Sequence, residues 1–255
     1  MRTYQSHRWV RAVVGDTIIA DSRDPLLFWE AGSPIPGYAF SPESVRMEFL
    51  SETLPPQERH CFDFFGPKSE VSRWFDIVVG ERLIPHAAWV LTGLEDRVAL
   101  SWQPGTIDRW LEEDVQVFGH PRDPFHRVDA LPSSRHVTAS ANGVVLADTR
   151  NPVVLFETDL PTRYYFPAGD VNTDVLVPAA ITSVCPYKGT ADRYWDVAGQ
   201  VDLTGAVWSY SSPFAAVGEI RNRLAFYNEL VDITVDGIAQ KRPASPFSKK
   251  EQRPA

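Results

Sequence analysis

The segment IADSRDP at Ile19–Pro25 returns as LADTRNP at Leu146–Pro152, with Asp21 and Asp148 separated by 127 residues. The match continues at the same offset, with LLFWE at 26–30 corresponding to VVLFE at 153–157. Further pairs follow at steadily smaller offsets: Tyr38 with Tyr164, Cys61 with Cys185, Trp74 with Trp195, Trp89 with Trp208 and Trp110 with Phe226. A falling offset is what small loop insertions in one copy of a shared fold produce. The sequence therefore predicts two tandem copies of one domain.

The boundary between the copies is predicted from composition. Residues 118–134 contain Pro121, Pro124 and Pro132 among polar residues and are interpreted as a linker. The first repeat then spans 8–117 and the second 135–237. Residues 238–255 carry five basic residues, one acid and three prolines, with little to bury, so we expect a disordered basic tail.

Each copy has the pattern of short strands. In the second repeat, alternating residues at 137–139 lead to the hairpin turn Asn142-Gly143, and strands are predicted near 144–146, 153–156, 164–166, 195–197, 206–208 and 230–235. One helix is predicted from about Pro213 to Asn222, with Ser212 as its cap. The fold class is therefore mainly β, as two small antiparallel β domains, each with one or two short helices. A parallel α/β sheet is disfavoured because helices do not alternate with strands.

Composition restricts the functional classes. The chain is 44% hydrophobic and 23% charged, which is typical of a soluble globular protein. Its formal net charge of −8 argues against a general affinity for nucleic acid. No apolar run is long enough to span a bilayer, and the first residues lack a signal-peptide pattern, so we expect a cytoplasmic protein without a membrane partner. The two cysteines and six histidines lack ligand spacing, and neither a metal nor a cofactor is expected.

The pentapeptide CPYKG at Cys185–Gly189 resembles the signature of the domain-of-unknown-function 427 family. The resemblance covers nearly all of the second repeat and, more loosely, the first. It extends to four neighbouring segments: Ala147–Thr149, Phe156–Glu157, Tyr164–Pro167 and Ala206–Tyr210.

The resemblance carries a nucleotidyltransferase-like label that the residues support poorly. Such a site usually needs a Gly-Ser turn followed by paired carboxylates on a strand, which hold divalent ions. Gly32-Ser33 is present, but no acid-x-acid strand follows it, and no Walker-type phosphate loop occurs. The first copy also departs from the signature, since the segment CFDFFG at 61–66 lacks the proline and the lysine.

Three residues of the second repeat are candidates for catalysis. Lys188 is predicted in a turn at a strand end, where it could bind an anionic ligand group or pair with Glu157. Glu157 could act as a general base, although an acid in both copies also suits a hydrogen bond that anchors the next loop. Cys185 could be a nucleophile activated by Lys188, or a buried packing residue.

Aromatic side chains are unusually frequent in the second repeat. They could form the core of a small β domain or the walls of a pocket in which flat or cationic ligands stack. The candidate ligand-binding residues are Tyr164, Tyr187, Arg193, Trp195, Trp208 and Tyr210.

Three functions remain open at this point. The first is a small-molecule binding module that recognises an anionic or aromatic metabolite in the second domain. The second is an enzyme, a transferase or hydrolase, that uses Lys188, Glu157 and Cys185. The third is a structural or protein-interaction scaffold.

Overall fold

The computed structural model describes residues 1–57 and 64–248. The chain divides into two compact units, Met1–Asp123 and Pro124–Ala255, and the division falls inside the predicted linker. In the described residues, helical structure is confined to short 3-10 turns, and no helix is long and apolar enough to cross a membrane. The mainly β fold class is confirmed.

Two antiparallel sheets make up the described part of the first unit. A seven-stranded sheet has the order β1-β4-β5-β9-β8-β7-β6, and a four-stranded sheet has the order β11-β10-β2-β3. The strands, in chain order, are β1 (Arg2–Gln5), β2 (Val10–Val14), β3 (Thr17–Ser22), β4 (Leu26–Trp29), β5 (Gly37–Phe40), β6 (Leu50–Thr53), β7 (Val71–Val79), β8 (Arg82–Leu91), β9 (Val98–Leu100), β10 (Arg109–Glu112) and β11 (Val115–Val117).

The second unit repeats this arrangement and adds a hairpin. Its seven-stranded sheet has the order β12-β15-β16-β22-β21-β20-β17, its four-stranded sheet has the order β14-β13-β23-β24, and β18 pairs with β19. The strands are β12 (Val128–Pro132), β13 (Val137–Ala141), β14 (Val144–Thr149), β15 (Val153–Glu157), β16 (Arg163–Phe166), β17 (Leu176–Ala179), β18 (Ser183–Cys185), β19 (Gly189–Ala191), β20 (Arg193–Val197), β21 (Val207–Ser209), β22 (Leu224–Phe226), β23 (Asp232–Val235) and β24 (Ile238–Ala239).

Both faces of each seven-stranded sheet are buried. One face packs with residues of the four-stranded sheet to form the main core, which contains Phe40 and Phe75 in the first unit and Phe166 and Phe226 in the second. The opposite face, called the outer face below, carries a smaller apolar cluster that includes Trp89 or Trp208. Successive side chains of a strand point to opposite faces, so neighbouring aromatic residues enter different clusters.

The strand registers refine the predicted repeat. Ala39 pairs with Ala99, which sits beside Trp89, and the second unit repeats this row as Tyr165, Ala225 and Trp208. The pairing of Trp89 with Trp208 is therefore confirmed.

Two other pairings were wrong, because loop lengths change between the strands. By strand register, the counterpart of Trp74 in the second repeat is Tyr194 rather than Trp195. The counterpart of Trp110 is Ile233 rather than Phe226. Cys61 lies outside the described residues.

The predicted linker contains a strand. Within residues 118–134, β12 pairs with β15 along the edge of the second seven-stranded sheet. In the first unit, β1 pairs with β4 in the same way, upstream of the predicted domain start at residue 8. Both strands lie at a sheet edge, where β1 is exposed and β12 is half-buried to exposed, and neither has the regular alternation of apolar and polar residues that predicts a strand. The repeat is therefore longer at its start than predicted.

The expected helix at 213–222 is replaced by a kinked 3-10 segment, Ala215–Ile220. Ser212 supplies no side-chain cap, and the segment leaves helical geometry at Val217. The backbone N–H of Phe214 donates to the carbonyl of Lys188 at 3.1 Å, which fixes the start of the segment outside a helix. Val217 and Ile220 are instead buried in the outer-face cluster.

The chain does not become disordered at residue 238. β24 adds an edge strand to β23, and Ser245 is buried with its hydroxyl donating to the carboxylate of Glu229. The ring of Phe247 lies 5.5 Å from that of Tyr227. Glu229 also pairs with Arg163, whose Nη2 is 2.7 Å from Oε1. Composition did not predict this contact, because the segment is polar and contains prolines. Its order depends on Ser245 and Phe247, which pack against the buried pair of Arg163 and Glu229. The predicted tail from residue 249 lies outside the described residues.

We predict that a chain ending after Arg242 is less stable than one ending after Ser248. The shorter chain loses the hydrogen bond from the Ser245 hydroxyl to the Glu229 carboxylate. A hydrogen bond to a charged group contributes about 1.5–3 kcal/mol. Urea unfolding of both chains measures the difference. Equal stabilities would show that residues 243–248 contribute no stabilising contact.

Candidate functional site

Lys188 and Glu157 form a buried ion pair at the edge of the outer face of the second domain. The Lys188 ammonium donates a hydrogen bond to Glu157 Oε2, and the two side chains are only 11% and 5% exposed. Glu157 is the last residue of β15, and Lys188 lies in the turn between β18 and β19. The structure thus brings together two of the three residues that the sequence suggested for catalysis.

The turn that carries Lys188 is held from both sides. Gly189 is buried and has a φ of +96°, a conformation that residues with a Cβ rarely adopt. Its position would place a Cβ 3.6 Å from the carbonyl oxygen of Ser212, which is ordinary contact, so the requirement for glycine is conformational rather than steric. The bond from Phe214 N–H to the Lys188 carbonyl then fixes the backbone from which the ammonium reaches Glu157.

His126 completes the cluster, and the sequence did not suggest it. Its Nε2 lies 3.2 Å from Glu157 Oε1, so each carboxylate oxygen has its own partner. The imidazole also stacks on Tyr187, with ring centroids 4.1 Å apart and planes 14° apart. His126 was not predicted as a site residue because it falls in the predicted linker. The pairing of β12 with β15 brings that segment beside Glu157.

The partners of Glu157 decide its charge. Burial raises the pKa of a carboxyl group, but the hydrogen bond from His126 and the nearby charge of Lys188 outweigh burial here. The pKa of Glu157 therefore lies below its ordinary value of 4.5, and the carboxylate is ionised at neutral pH. It is a hydrogen-bond acceptor for cations rather than a proton donor.

The predicted aromatic set is divided between the two faces of the sheet. Tyr164 and Trp195 pack half-buried against the main core. Trp208 and Tyr210 lie in the outer-face cluster, where Trp208 Nε1 donates to the hydroxyl of Tyr165 at 3.2 Å. Burial raises the pKa of Tyr210 far above its ordinary value, so that phenol stays neutral. Of the aromatic candidates, Tyr187 is the one in contact with the His126 cluster.

The remaining two candidates form no hydrogen bond with the ion pair in the described residues. Arg193 is exposed at the start of β20. Cys185 is a free, half-buried thiol at the end of β18, paired across its hairpin with Gly189. Lys188, which was to activate the thiol, directs its ammonium to Glu157 instead. Among the described residues, no three His, Cys, Asp or Glu side chains form a group that could hold a metal ion.

The first domain keeps the acid but changes its partners. Glu30 follows β4 as Glu157 ends β15, and its Oε1 accepts the backbone N–H groups of Lys68 at 2.9 Å and Ser69 at 2.5 Å. In both domains the carboxylate thus binds a loop on the outer side of the sheet. In the first domain backbone amides replace the lysine ammonium.

A family model described as domain of unknown function (DUF427) matches residues 2–99 and 129–237. The two matched segments begin within β1 and β12, the edge strands that composition alone missed. Together they span most of the chain, one segment in each unit. No curated protein matches the sequence.

We predict that Gly189→Ala destabilises the second domain by about 1–2 kcal/mol, because alanine is strained at a φ of +96°. Thermal or urea unfolding measures the loss. Gly218→Ala is the matched control, since Gly218 has open space around its Cβ position and no positive φ. Equal effects of the two substitutions would contradict the assigned role of Gly189.

We also predict how Glu157→Gln changes stability with pH. Since the pKa of Glu157 is depressed in the folded state, its ionised form stabilises the fold above pH 4.5, and this contribution disappears as the pH falls through the folded-state pKa. The variant leaves Lys188 buried without a charged partner, so it should be less stable by about 3 kcal/mol at neutral pH. The gap to the unsubstituted protein should close in acid. Exposed Glu219→Gln is the control, and a gap that stays constant down to the acid limb would contradict the pairing.

Proposed function

We propose that this chain, which belongs to the family described as domain of unknown function (DUF427), is a small-molecule binding module whose second domain binds a small anion at Lys188. The observation that carries the proposal is the incomplete hydrogen bonding of a buried ammonium group. The Lys188 ammonium has three N–H donors, and in the described part of the chain Glu157 is the one acceptor to which it donates.

The spare donors need an acceptor. Buried polar groups are normally hydrogen-bonded, and a buried charged donor without a partner is costly. The Lys188 side chain keeps 11% of its surface exposed, which is enough for access from solvent at one side. A carboxylate or phosphate oxygen placed there would form a charge-assisted hydrogen bond.

Neighbouring groups suit the same ligand. His126 is 18% exposed at its side chain, and its stacking on Tyr187 orients the imidazole beside the ion pair. Glu157 holds both Lys188 and His126 in place, so the donors are ordered before a ligand arrives. Ordering a site in advance lowers the entropic cost of binding.

Stability alone is a weak reason for this cluster. Buried ion pairs often contribute less than well-packed apolar residues of similar volume, because both charges lose their hydration. The first domain supports the same reasoning, since Glu30 anchors its loop through backbone amides without any lysine ammonium. An anchor therefore does not require Lys188, which favours a further role for its charge.

An enzyme that uses the same residues is the second candidate. The hydrogen bond between His126 and Glu157 favours it, because a carboxylate that orients an imidazole is a common arrangement for general acid–base catalysis. An enzymatic role predicts turnover of the bound ligand, whereas a binding module predicts stabilisation without turnover.

A thermal-melt screen with inorganic phosphate, nucleotides, sugar phosphates and small carboxylates tests the proposal. A ligand at a hundred times its dissociation constant should stabilise the protein by about 2.7 kcal/mol and raise the melting temperature. We expect the increase to vanish in the double variant Glu157→Gln/Lys188→Met, which removes both charges and leaves neither one buried alone.

Lys68→Met is the control, because it removes an exposed lysine from the first domain and should leave the shift intact. Product analysis of each stabilising mixture separates a binding module from an enzyme. If none of these anions stabilises the unsubstituted protein, or if the double variant responds equally, the anion site is refuted.

A further inference from the structure

The first domain contains a cleft at the place where the second domain holds two of its own cations. From this comparison we propose that the first domain binds the ammonium head of a small organic cation beside Glu30. This site is separate from the proposed anion site at Lys188 and does not depend on it.

The cleft is an aromatic enclosure with one acid. It has a cavity volume of about 30 Å³ and opens to solvent on one side. Trp102 is fixed by stacking on Trp110, with ring centroids 4.2 Å apart and planes 9° apart. Its aromatic walls are formed by Phe28, Phe64, Phe65, Trp89 and Trp102, and Glu30 lines it as well.

Glu30 has one oxygen committed and one available. Oε1 accepts the two backbone N–H groups of Lys68 and Ser69, and the residue is only 9% exposed. No cation pairs with Glu30 anywhere in residues 1–57 and 64–248. A buried carboxylate in this state favours a positively charged hydrogen-bond donor.

The second domain shows which groups can occupy this place. Strand register makes Gly37 the counterpart of Arg163, because Gly37 pairs with Phe28 in β4 and Arg163 pairs with Leu155 in β15. The Arg163 guanidinium lies 5.7 Å from the ring of Trp208, the counterpart of Trp89. The acid Glu157, the counterpart of Glu30, is occupied by the Lys188 ammonium.

The first domain lacks both cations but keeps Glu30 and Trp89, the counterparts of Glu157 and Trp208. Where Arg163 stands in the second domain, Gly37 has no side chain, and even a Cβ there would lie 2.6 Å from Phe28 Cζ. Phe64 and Phe65 belong to the diverged signature at 61–66, which lacks the lysine. The acid and the tryptophan remain, so an external cation can replace the internal ones.

An organic ammonium fits this environment better than a metal ion or a neutral molecule. Aromatic faces attract organic cations through their quadrupoles, and a desolvated carboxylate adds a directed hydrogen bond. The small cavity admits the charged head and leaves the remainder of the molecule at the mouth. The formal net charge of −8 also favours the approach of cations over anions.

The test is a titration with n-butylammonium chloride, followed by the indole ¹⁵N–¹H signals of Trp89 and Trp102. These signals are assigned with Trp89→Phe and Trp102→Phe. We expect both signals to move, with a dissociation constant of about 1–10 mM for so small a ligand. Tetramethylammonium tests whether an N–H donor is needed, and we expect it to bind more weakly because it cannot donate to Glu30.

Glu30→Gln should weaken n-butylammonium binding at least about tenfold. Gln retains an oxygen for the amides of Lys68 and Ser69, so the fold is preserved. Glu81→Gln is the matched control, since it removes the same charge from an exposed turn that is not part of the cleft. Phe64→Ala, at a side chain that is 51% exposed, should weaken binding several-fold without disturbing the core.

Three results would overturn the proposal. The first is an absence of indole shifts with n-butylammonium. The second is equal binding of n-butanol, which would indicate an apolar cleft without cation recognition. The third is an equal effect of Glu30→Gln and Glu81→Gln, which would indicate only general electrostatic attraction.

Discussion

A carboxylate at the end of the second strand of each large sheet ties down the material that covers the sheet's outer face. A seven-stranded antiparallel sheet that is buried on both faces needs such a cover, because the four-stranded sheet packs against only one of them. In the second domain Glu157 holds the β18–β19 turn through Lys188, and in the first domain Glu30 holds the segment at Lys68 and Ser69. The acid is common to both copies, whereas the cation is not.

That difference separates the acid that anchors the loop from the group that donates to it. The acid keeps its structural task as long as something donates to it, and backbone amides are sufficient. Once amides take over, the space around the second carboxylate oxygen is free to change. Gly37 in place of Arg163 and phenylalanines in place of the lysine signature convert a filled position into a cleft. Strand register makes this comparison quantitative, because it identifies the counterpart of each residue independently of sequence similarity.

The sequence predicted the parts of the fold that depend on local pattern. The hairpin at Asn142-Gly143 is present, since both residues adopt positive φ and β13 pairs with β14 on either side of the turn. The edge strands β1 and β12 could not be predicted, because neither exposed β1 nor half-buried β12 carries a periodic apolar signal. The supposed helix at 213–222 failed for a different reason. Its backbone conformation is set by the hydrogen bond from Phe214 to the Lys188 carbonyl and by the burial of Val217. Both are tertiary contacts, which local helix propensity does not include.

The candidate site was predictable only in part, for the same physical reason. Lys188 and Glu157 stood out because the first copy keeps the acid and lacks the lysine, and the structure places the two residues in contact. His126 and Arg163 did not stand out, since the significance of each comes from a partner far along the chain. The aromatic residues misled because adjacent positions on a strand face opposite sides of a sheet, so Tyr164 and Tyr165 belong to different clusters. Charge pairing between strands, rather than aromatic density along the chain, is therefore what marks the candidate site of the second domain.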